Sequence, residues 1–418
     1  MPGADAPMGM TANPLAHLDA EQLEAFGREL DAIHDEVFAD LGESDRRYIT
    51  GMVALHRRLV VLGRVALILG SRRRPIWVAG TSLLTVGKIL ENMEIGHNVM
   101  HGQWDWMNDP QIHSSQWDWD SASTAEGWKH AHNYIHHTYT NILGRDRDLG
   151  YAIMRIDPQQ RWNPVHLLQP FYNVVLAAMF EWGVAIHDLD LGAVRRGEKP
   201  RSASWGEIRA TALKARRQIV KDYVAYPALS GRRGFRRTLQ ANVAANVIRN
   251  AWAYTIIFCG HFPDQTYTFT EEEVAGESRG AFYARQLLGS ANIEGSPVFH
   301  VMSGNLSHQV EHHLFPDMPS TRYAQIAPRV RELCERYALP YNTGPLLRQL
   351  GTVQRTILRL ALPGGRPRPK PGPHREADGP IGSAGRPAAG SRPVPAGPSG
   401  SGPEQPTDGV RVVMPPGA

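Results

Sequence analysis

Three short repeats of one spacing constrain this chain more than any other feature: His97-x-x-x-His101, His132-x-x-x-His136-His137 and His308-x-x-x-His312-His313. Residues four apart on an α-helix share a face, so each repeat aims two imidazoles at one place. Adjacent helical residues diverge by roughly 100°, so a doublet such as His136-His137 suits two neighbouring ions better than one. Inward-facing side chains on bundled helices are a known way to build a metal centre. Three such helices would supply enough nitrogens for two metals. An all-imidazole set suits iron, zinc, copper or nickel and argues against calcium or magnesium. One such repeat would be commonplace packing; three, two of them identical in pattern, point to a metal centre.

Other histidines divide by context. His261 ends the apolar run Ala251 to Cys259 and is placed to reach the interior of the bundle as a ninth ligand. His130 precedes His132 by two positions and so lies on roughly the opposite helix face; with His187 and His300 it is held in reserve. His17, His34, His56, His113, His166 and His374 are read as structural or surface residues.

Composition removes several classes of function. A net charge of +4 over 418 residues makes no case for nucleic acid. Two cysteines, Cys259 and Cys334, give neither a disulfide framework nor a zinc knuckle, so a reducing compartment is the default. Met1 to Leu18 lacks the basic flank and apolar stretch of a leader. Leu23, Phe26, Leu30, Ile33 and Val37 recur at helical spacing, which predicts one amphipathic helix over Leu18 to Leu41, capped by Asp19 with Gln22. Such a helix would pack on the domain or lie beside a membrane. Residues 1–45 form this N-terminal segment and 46–345 the main domain. Residues 362–418, rich in Pro, Gly, Ala and Ser, are expected to be disordered.

Spanning a bilayer takes roughly 20 mostly apolar residues. Val53 to Leu69, Ile76 to Ile95, Leu167 to Ile186 and Val243 to Phe262 come nearest, each interrupted by polar groups such as Arg64, Lys88, Glu181 and Arg249. Mean hydropathy is only −0.35. Hydropathy alone therefore leaves integral membrane insertion open. Trp104, Trp106, Trp117, Trp119 and Trp128 could form an interfacial belt, line an apolar channel or fill a core. His97 and His101 follow the second apolar stretch and His261 ends the fourth, which would bring them out on one side of a bilayer.

The wording of the boxes adds a resemblance. Glu94-Ile95-Gly96-His97-Asn98-Val99-Met100-His101, the run Trp128 to Asn141, and His308-Gln309-Val310-Glu311-His312-His313-Leu314-Phe315-Pro316 resemble the membrane fatty acid desaturases. The likeness is greatest to bacterial acyl-lipid and acyl-CoA members, notably the actinobacterial group, and covers roughly Leu18 to Tyr337. It implies an all-α, membrane-embedded helical bundle in the bacterial cytoplasmic membrane, with a histidine-rich di-iron site facing the cytoplasm. It implies oxygen-dependent desaturation of a fatty acyl-CoA or acyl-lipid, with O2 as co-substrate. Nothing here resembles a fused haem segment, so electrons are expected from a separate carrier protein, an iron–sulfur protein with its reductase. The family's third box is often Q-x-x-H-H, which Gln309 satisfies; repetition of the His132 geometry favours His308 as ligand instead.

A methylene C–H has no useful acidity, so side-chain bases cannot begin such a reaction, and the hard step belongs to the metal centre. The expected ligands are His97, His101, His132, His136, His137, His261, His308, His312 and His313. Glu94, Asp146, Asp148 and Glu311, with Gln309, are expected to stand behind them, and Arg145 and Arg147 could meet a phosphate-bearing headgroup. A hydroxylase or ketolase on the same scaffold is the nearest rival. A non-catalytic metal- or haem-binding membrane protein is the rival from another class, although haem could not use the doublets.

Overall fold

The computed structural model describes residues 15–365. Most of the Pro/Gly-rich tail and the first residues lie outside the described residues. The amphipathic pattern near the N-terminus folds as helix α1, Ala20–Ala39. Its cap is reciprocal: Asp19 Oδ1 accepts from the Gln22 N–H at 2.8 Å, and Gln22 Oε1 accepts from the Asp19 N–H at 2.9 Å. The stripe Phe26, Leu30, Ile33 and Val37 is buried in a core shared with Leu287, Phe315 and Tyr323. The helix thus packs on the domain, and Arg279, Arg329 and Arg336 tie its outer side through Asp31, Glu36 and Glu29.

Helices α2 (Glu43–Gly70) and α3 (Arg74–Ile89) form an antiparallel hairpin. Gly63 and Gly80 let them close: a Cβ on Gly63 would come within 3.0 Å of the Gly80 carbonyl oxygen. Helix α3 then widens into a π-helical stretch, Leu90–His97. After the second box come α4 (Gln169–Ala178), α5 (Phe180–His187) and α6 (Arg201–Ile219), the last continued by a π-helical turn, Val220–Ala225. Helix α7 (Gly231–His261) is the axis of the bundle, packed on α3, α4 and α11. Helices α8 (Arg279–Leu288), α9 (Gln309–Leu314), α10 (Tyr323–Arg336) and α11 (Leu346–Leu360) complete the domain. A short parallel pair, Asn292–Glu294 with Thr343–Pro345, pins the segment after α8 to the start of α11.

The polar interruptions of the apolar stretches meet one another. Asp222 accepts from Arg64 at 2.6 Å, Lys88 at 2.8 Å and Asn246 at 3.1 Å, so one carboxylate joins α2, α3 and α7 to the turn after α6. Arg249 pairs with Glu181. The stretch Leu167 to Ile186, expected to be one span, is two short helices broken at Met179 (φ −117°, ψ 26°). The break lets Asn250 Nδ2 donate to the Ala178 carbonyl at 2.9 Å and brings Glu181 to Arg249. No helix among the described residues is long and apolar enough to cross a membrane.

Candidate metal centre

Four segments converge on the end of the bundle where α3 and α7 finish. The first box ends the π-helical stretch Leu90–His97, and the second lies on another, Lys129–His136. Such widened turns recur at functional sites, and an α-helical reading of the spacing does not foresee them. The third box is carried by α9, and His261 closes α7.

The side chains gather as the doublets require. Ligand atoms of His97, His101, His132 and His312 lie within 4.8 Å of one another, and so do those of His136, His261 and His313. A further group, His137, His312 and His313, bridges the two. His312 and His313 therefore point into different clusters, as do His132 and His136, and two adjoining sites result.

Most of these rings have one nitrogen held by protein. His132 donates to Asp148 from Nδ1 at 3.2 Å, and His136 to Asp146 at 3.1 Å. His312 Nδ1 meets the Tyr323 hydroxyl at 3.2 Å, His313 Nδ1 meets Gln286 Oε1 at 3.0 Å, and His97 Nδ1 meets Asn98 Oδ1 at 3.1 Å. The opposite nitrogens of His132, His136 and His312 are buried without a hydrogen-bond partner, as are His101 Nε2, both ring nitrogens of His137 and, outside the clusters, His308 Nε2. Leaving a buried polar atom unmet costs about 1–3 kcal/mol, so this many in one place is untenable unless something accepts their lone pairs. Metal cations meet that requirement, and fixing one ring nitrogen so that the other faces a metal is how histidine ligands are oriented. The residues present therefore fit the implied metals.

Protonation agrees. Burial, reinforced by neighbouring imidazoles, pushes His101, His137, His312 and His313 well below the ordinary histidine value, and His97 to about 3. These rings are neutral at physiological pH, the form that binds metal. At His136 burial acts the same way but is outweighed by Asp146 and Asp148, and the net direction is upward. Burial would raise Asp148, yet His136, His132 and His187 hold it well below the carboxylate range.

The third box departs from the geometry expected of a continuous helix. His308 stands apart from both clusters, its ring 4.7 Å from that of His300. The reason is local: α9 begins at Gln309, and His308 (φ −101°, ψ 55°) precedes the helix, so it does not share a face with His312. Gln309 takes the inward place, its Nε2 2.9 Å from His261 Nε2 and its Oε1 unpartnered. Amide oxygen and nitrogen are exchangeable by a half turn, which would present the oxygen to the same point. Gly260 makes the room, since a Cβ there would lie 2.9 Å from Gln309 Cδ.

Among the acids, Asp146 and Asp148 contact ligand rings. Glu94 touches none: it accepts from Tyr48, Asn305 and Ser320 and knots three segments beneath the first box. Glu311 accepts from Asn292 at 2.9 Å and Tyr341 at 2.6 Å, and only the outlying His308 comes near it, at 3.9 Å. Arg147 is engaged with the His187 carbonyl and Asp190 rather than free for a headgroup, and Arg145 lies over the Tyr139 ring. His130 is exposed. His187 has a place that spacing did not reveal: its Nε2 meets Asp148 at 2.9 Å, on the oxygen opposite His132. Gln286, Tyr323 and Asn98 carried no motif.

A narrow slot of about 50 Å³ opens on the first cluster, its surface mostly apolar from Met93, Trp119, Trp128, Phe180, Ile257 and Leu306, with Glu181, Asp188, Arg249 and Asn250 also lining it and His97 and His132 at the metal end. Trp119 and Trp128 thus line a channel, whereas Trp104 is core.

Helical architecture and paired imidazole clusters beside the slot define a helical protein with a buried histidine site that could hold metal ions. Residues 75–345 match the model of the fatty acid desaturase family, and the chain belongs to that family. It is accordingly an oxidoreductase. It is 50% identical over 83% of its length to the NADPH-dependent stearoyl-CoA 9-desaturase of Mycobacterium tuberculosis, covering 82% of that protein. It is 24% identical to the sn-1 linoleoyl-lipid 6-desaturase of Synechocystis over 65% of this chain and 76% of that one. Human fatty acid desaturase 3 matches a shorter region, 33% identical over 28% of this chain and 24% of the relative.

Proposed function

We propose that this protein introduces a carbon–carbon double bond into a fatty acyl chain, with dioxygen as oxidant, at two iron ions held by the paired clusters. The observation that carries this reading is the set of buried, unpartnered imidazole nitrogens in two adjoining groups at the end of an apolar slot. When bound, the irons would supply the activation of dioxygen needed to remove two hydrogens from adjacent methylenes, with two electrons and two protons completing its reduction to water. The chain's own residues hold and orient. His97, His101, His132 and His312 would hold one ion, and His136, His261 and His313 the other, with His137 between them and Gln309 beside His261. Asp146, Asp148, Gln286 and Tyr323 fix which nitrogen of each ring faces inward. Trp128 stacks on His132 with ring centroids 4.5 Å apart, so the slot wall and a ligand ring form one surface. The aromatic and aliphatic side chains of the slot would guide an acyl chain past the metals.

The proposed setting is the bacterial cytoplasmic membrane, with the metal end toward the cytoplasm. Apolar side chains face outward along much of the bundle: Leu69 is 82% exposed, Phe171 71% and Val174 65%, joined by Val61, Leu62 and Ile248. Exposed apolar side chains of this kind are suited to lipid contact. Electrons would come from a separate iron–sulfur carrier and reductase, and the mycobacterial relative's name makes NADPH the ultimate source. That relative also makes stearoyl-CoA the first substrate to try. Purified protein with stearoyl-CoA, a reducing chain and air should give a product lighter by two hydrogens. Gain of one oxygen would instead make it a hydroxylase, and no product from any acyl donor would refute the reading.

A further inference from the structure

One wall of the slot is also a file of indole rings. Trp128 stacks on His132 with ring centroids 4.5 Å apart, and it meets the rings of His97 at 5.3 Å and His101 at 5.5 Å. It therefore touches three of the four imidazoles gathered in the first cluster. Trp119 follows, its ring centroid 5.3 Å from that of Trp128. Trp117 packs against the same group and is partly exposed. With Trp119 it lines a second cavity, whose wall also carries exposed Asp118 and Arg217. Indole rings thus run in succession from the ligands to a solvent-facing cavity.

Guiding an acyl chain does not call for this arrangement, since leucines would wall a slot equally well. What indoles add is ready one-electron oxidation, and transfer between rings in contact is fast because its rate falls steeply with separation. The chemistry of the site supplies the need. Metals that activate dioxygen with no acyl chain in the slot hold an oxidising equivalent that has no C–H bond to attack. The oxidisable groups at hand are the ligand rings and two methionines, Met93 in the slot wall and Met100 beside Trp128, and methionine passes readily to its sulfoxide. The N–H groups of the file fit such a task. Trp119 Nε1 donates to the Ser123 carbonyl at 2.9 Å, and Trp117 Nε1 is buried with no acceptor. Neither faces a base that would take its proton, so an oxidised ring keeps the proton and the charge moves on as an electron alone. Tyr323 makes the contrast: its hydroxyl meets His312 at 3.2 Å, but the residue is wholly buried and gives no exit.

We propose that Trp128, Trp119 and Trp117 carry oxidising equivalents from the metal centre to the surface when oxygen is activated without an acyl chain in place. The centre takes one electron from Trp128, which is refilled from Trp119, and that in turn from Trp117. Trp117 is then reduced in the cavity by a one-electron reductant from solution, such as ascorbate. No bond forms or breaks within the file, and two such events with two protons reduce one peroxide to two waters. The inference rests on the oxygen-activating reading above, but hydrogen peroxide as oxidant makes the test independent of acyl donor and turnover.

Full-length, detergent-purified protein, loaded with iron or stripped of it, is treated with peroxide and read by electron paramagnetic resonance and by peptide mass mapping. Iron per chain is measured on every sample. The iron-loaded wild type should give a tryptophan radical and gain oxygen at Trp117, and ascorbate should abolish both. The stripped protein should show neither. Trp119→Phe interrupts the file, so the added oxygen should move inward to Trp128, Met100 or His132, and ascorbate should no longer prevent it. Trp117→Phe, at the partly exposed end, should shift the oxygen to Trp119 and keep wild-type iron content and thermal unfolding; it carries the test if Trp119→Phe does not fold. A tyrosine radical in place of the tryptophan radical overturns the proposal, as does oxygen added at the same sites in wild type and variants. Iron present with no oxidised tryptophan refutes the file alone; absence of bound iron removes both this inference and the reading beneath it.

Discussion

The two ends of the bundle bury polar groups by opposite rules. In the hairpin region, Arg64, Lys88 and Asn246 converge on Asp222, so each buried charge there has its counter-charge from another segment, as Arg249 has Glu181 beside the slot. At the other end, imidazoles gather with one nitrogen anchored and the other facing empty partners of its own kind; His261 Nε2 and His313 Nε2 lie 3.2 Å apart. A charge-compensated network does structural work. An open one is built for a ligand from outside, because isolated it would cost more than the fold could bear. Buried polar groups thus mean stability where opposite charges meet and chemistry where neutral rings face one another, although Arg64 Nε, Asn246 Oδ1 and Arg249 Nε stay unmet beside those charges.

The largest effect should come from opening the closed region. Asp222→Asn strands Arg64 and Lys88, and removing one partner of a buried charge group costs about 3–5 kcal/mol. Denaturant unfolding should register this, whereas metal bound per folded molecule should stay at the wild-type level. Loss of metal in step with stability would erase the distinction drawn here. Next in size is loosening the open region. Asp148→Asn frees His132 and His187 and should weaken metal binding by about 10–100-fold, read by competition with a chelator, with little change in unfolding of the metal-free protein. The third box offers a paired contrast. Gln309→Ala should lower metal affinity or alter the metal's spectrum, and His308→Ala should leave both at wild-type values; the reverse outcome would restore the α-helical reading of the box.

The smallest effect lies outside both regions, where His34 of α1 meets Asp317 at 3.4 Å and Asp35 at 3.3 Å. Burial would lower its pKa, but Asp317 and Asp35 outweigh it and raise it above 6.5. A raised folded value means the protonated ring stabilises. The contribution is complete below the unfolded value of about 6.5 and fades as pH climbs through the higher folded one. The stability difference between wild type and His34→Gln should therefore shrink as pH rises above about 6.5. A difference that grows with pH would mean the carboxylates do not control this ring.

How much of this could be read in the chain follows the same division. Helical periodicity is local, so the repeats, the amphipathic α1 and its Asp19–Gln22 cap were legible. Doublets straddling two sites follow from the angle between successive residues, and the clusters have that form. The all-α class was legible too. His308 was misplaced because a spacing rule assumes a helix that here starts one residue later, after a turn in which Gly304 (φ 70°) and Asn305 (φ 55°) are left-handed. The break at Met179 has no proline to announce it; Gly183, four residues on, permits it, since a Cβ there would come within 2.4 Å of Leu176. Interruptions such as Arg64, Lys88, Glu181 and Arg249 looked like defects in separate spans because their partners lie far away in sequence. Gln286 and Tyr323 were invisible for that reason as well: an orienting hydrogen bond needs only one atom in the right place, and no pattern records it.

The central claim is that the open cluster is a two-metal site. Iron per chain, measured on full-length detergent-purified protein beside His312→Ala, tests it most directly. About two irons in the wild type is the predicted result, with loss of metal in the variant, since His312 belongs to the first cluster and to the bridging group. A single iron, a haem spectrum or zinc in place of iron would contradict the account.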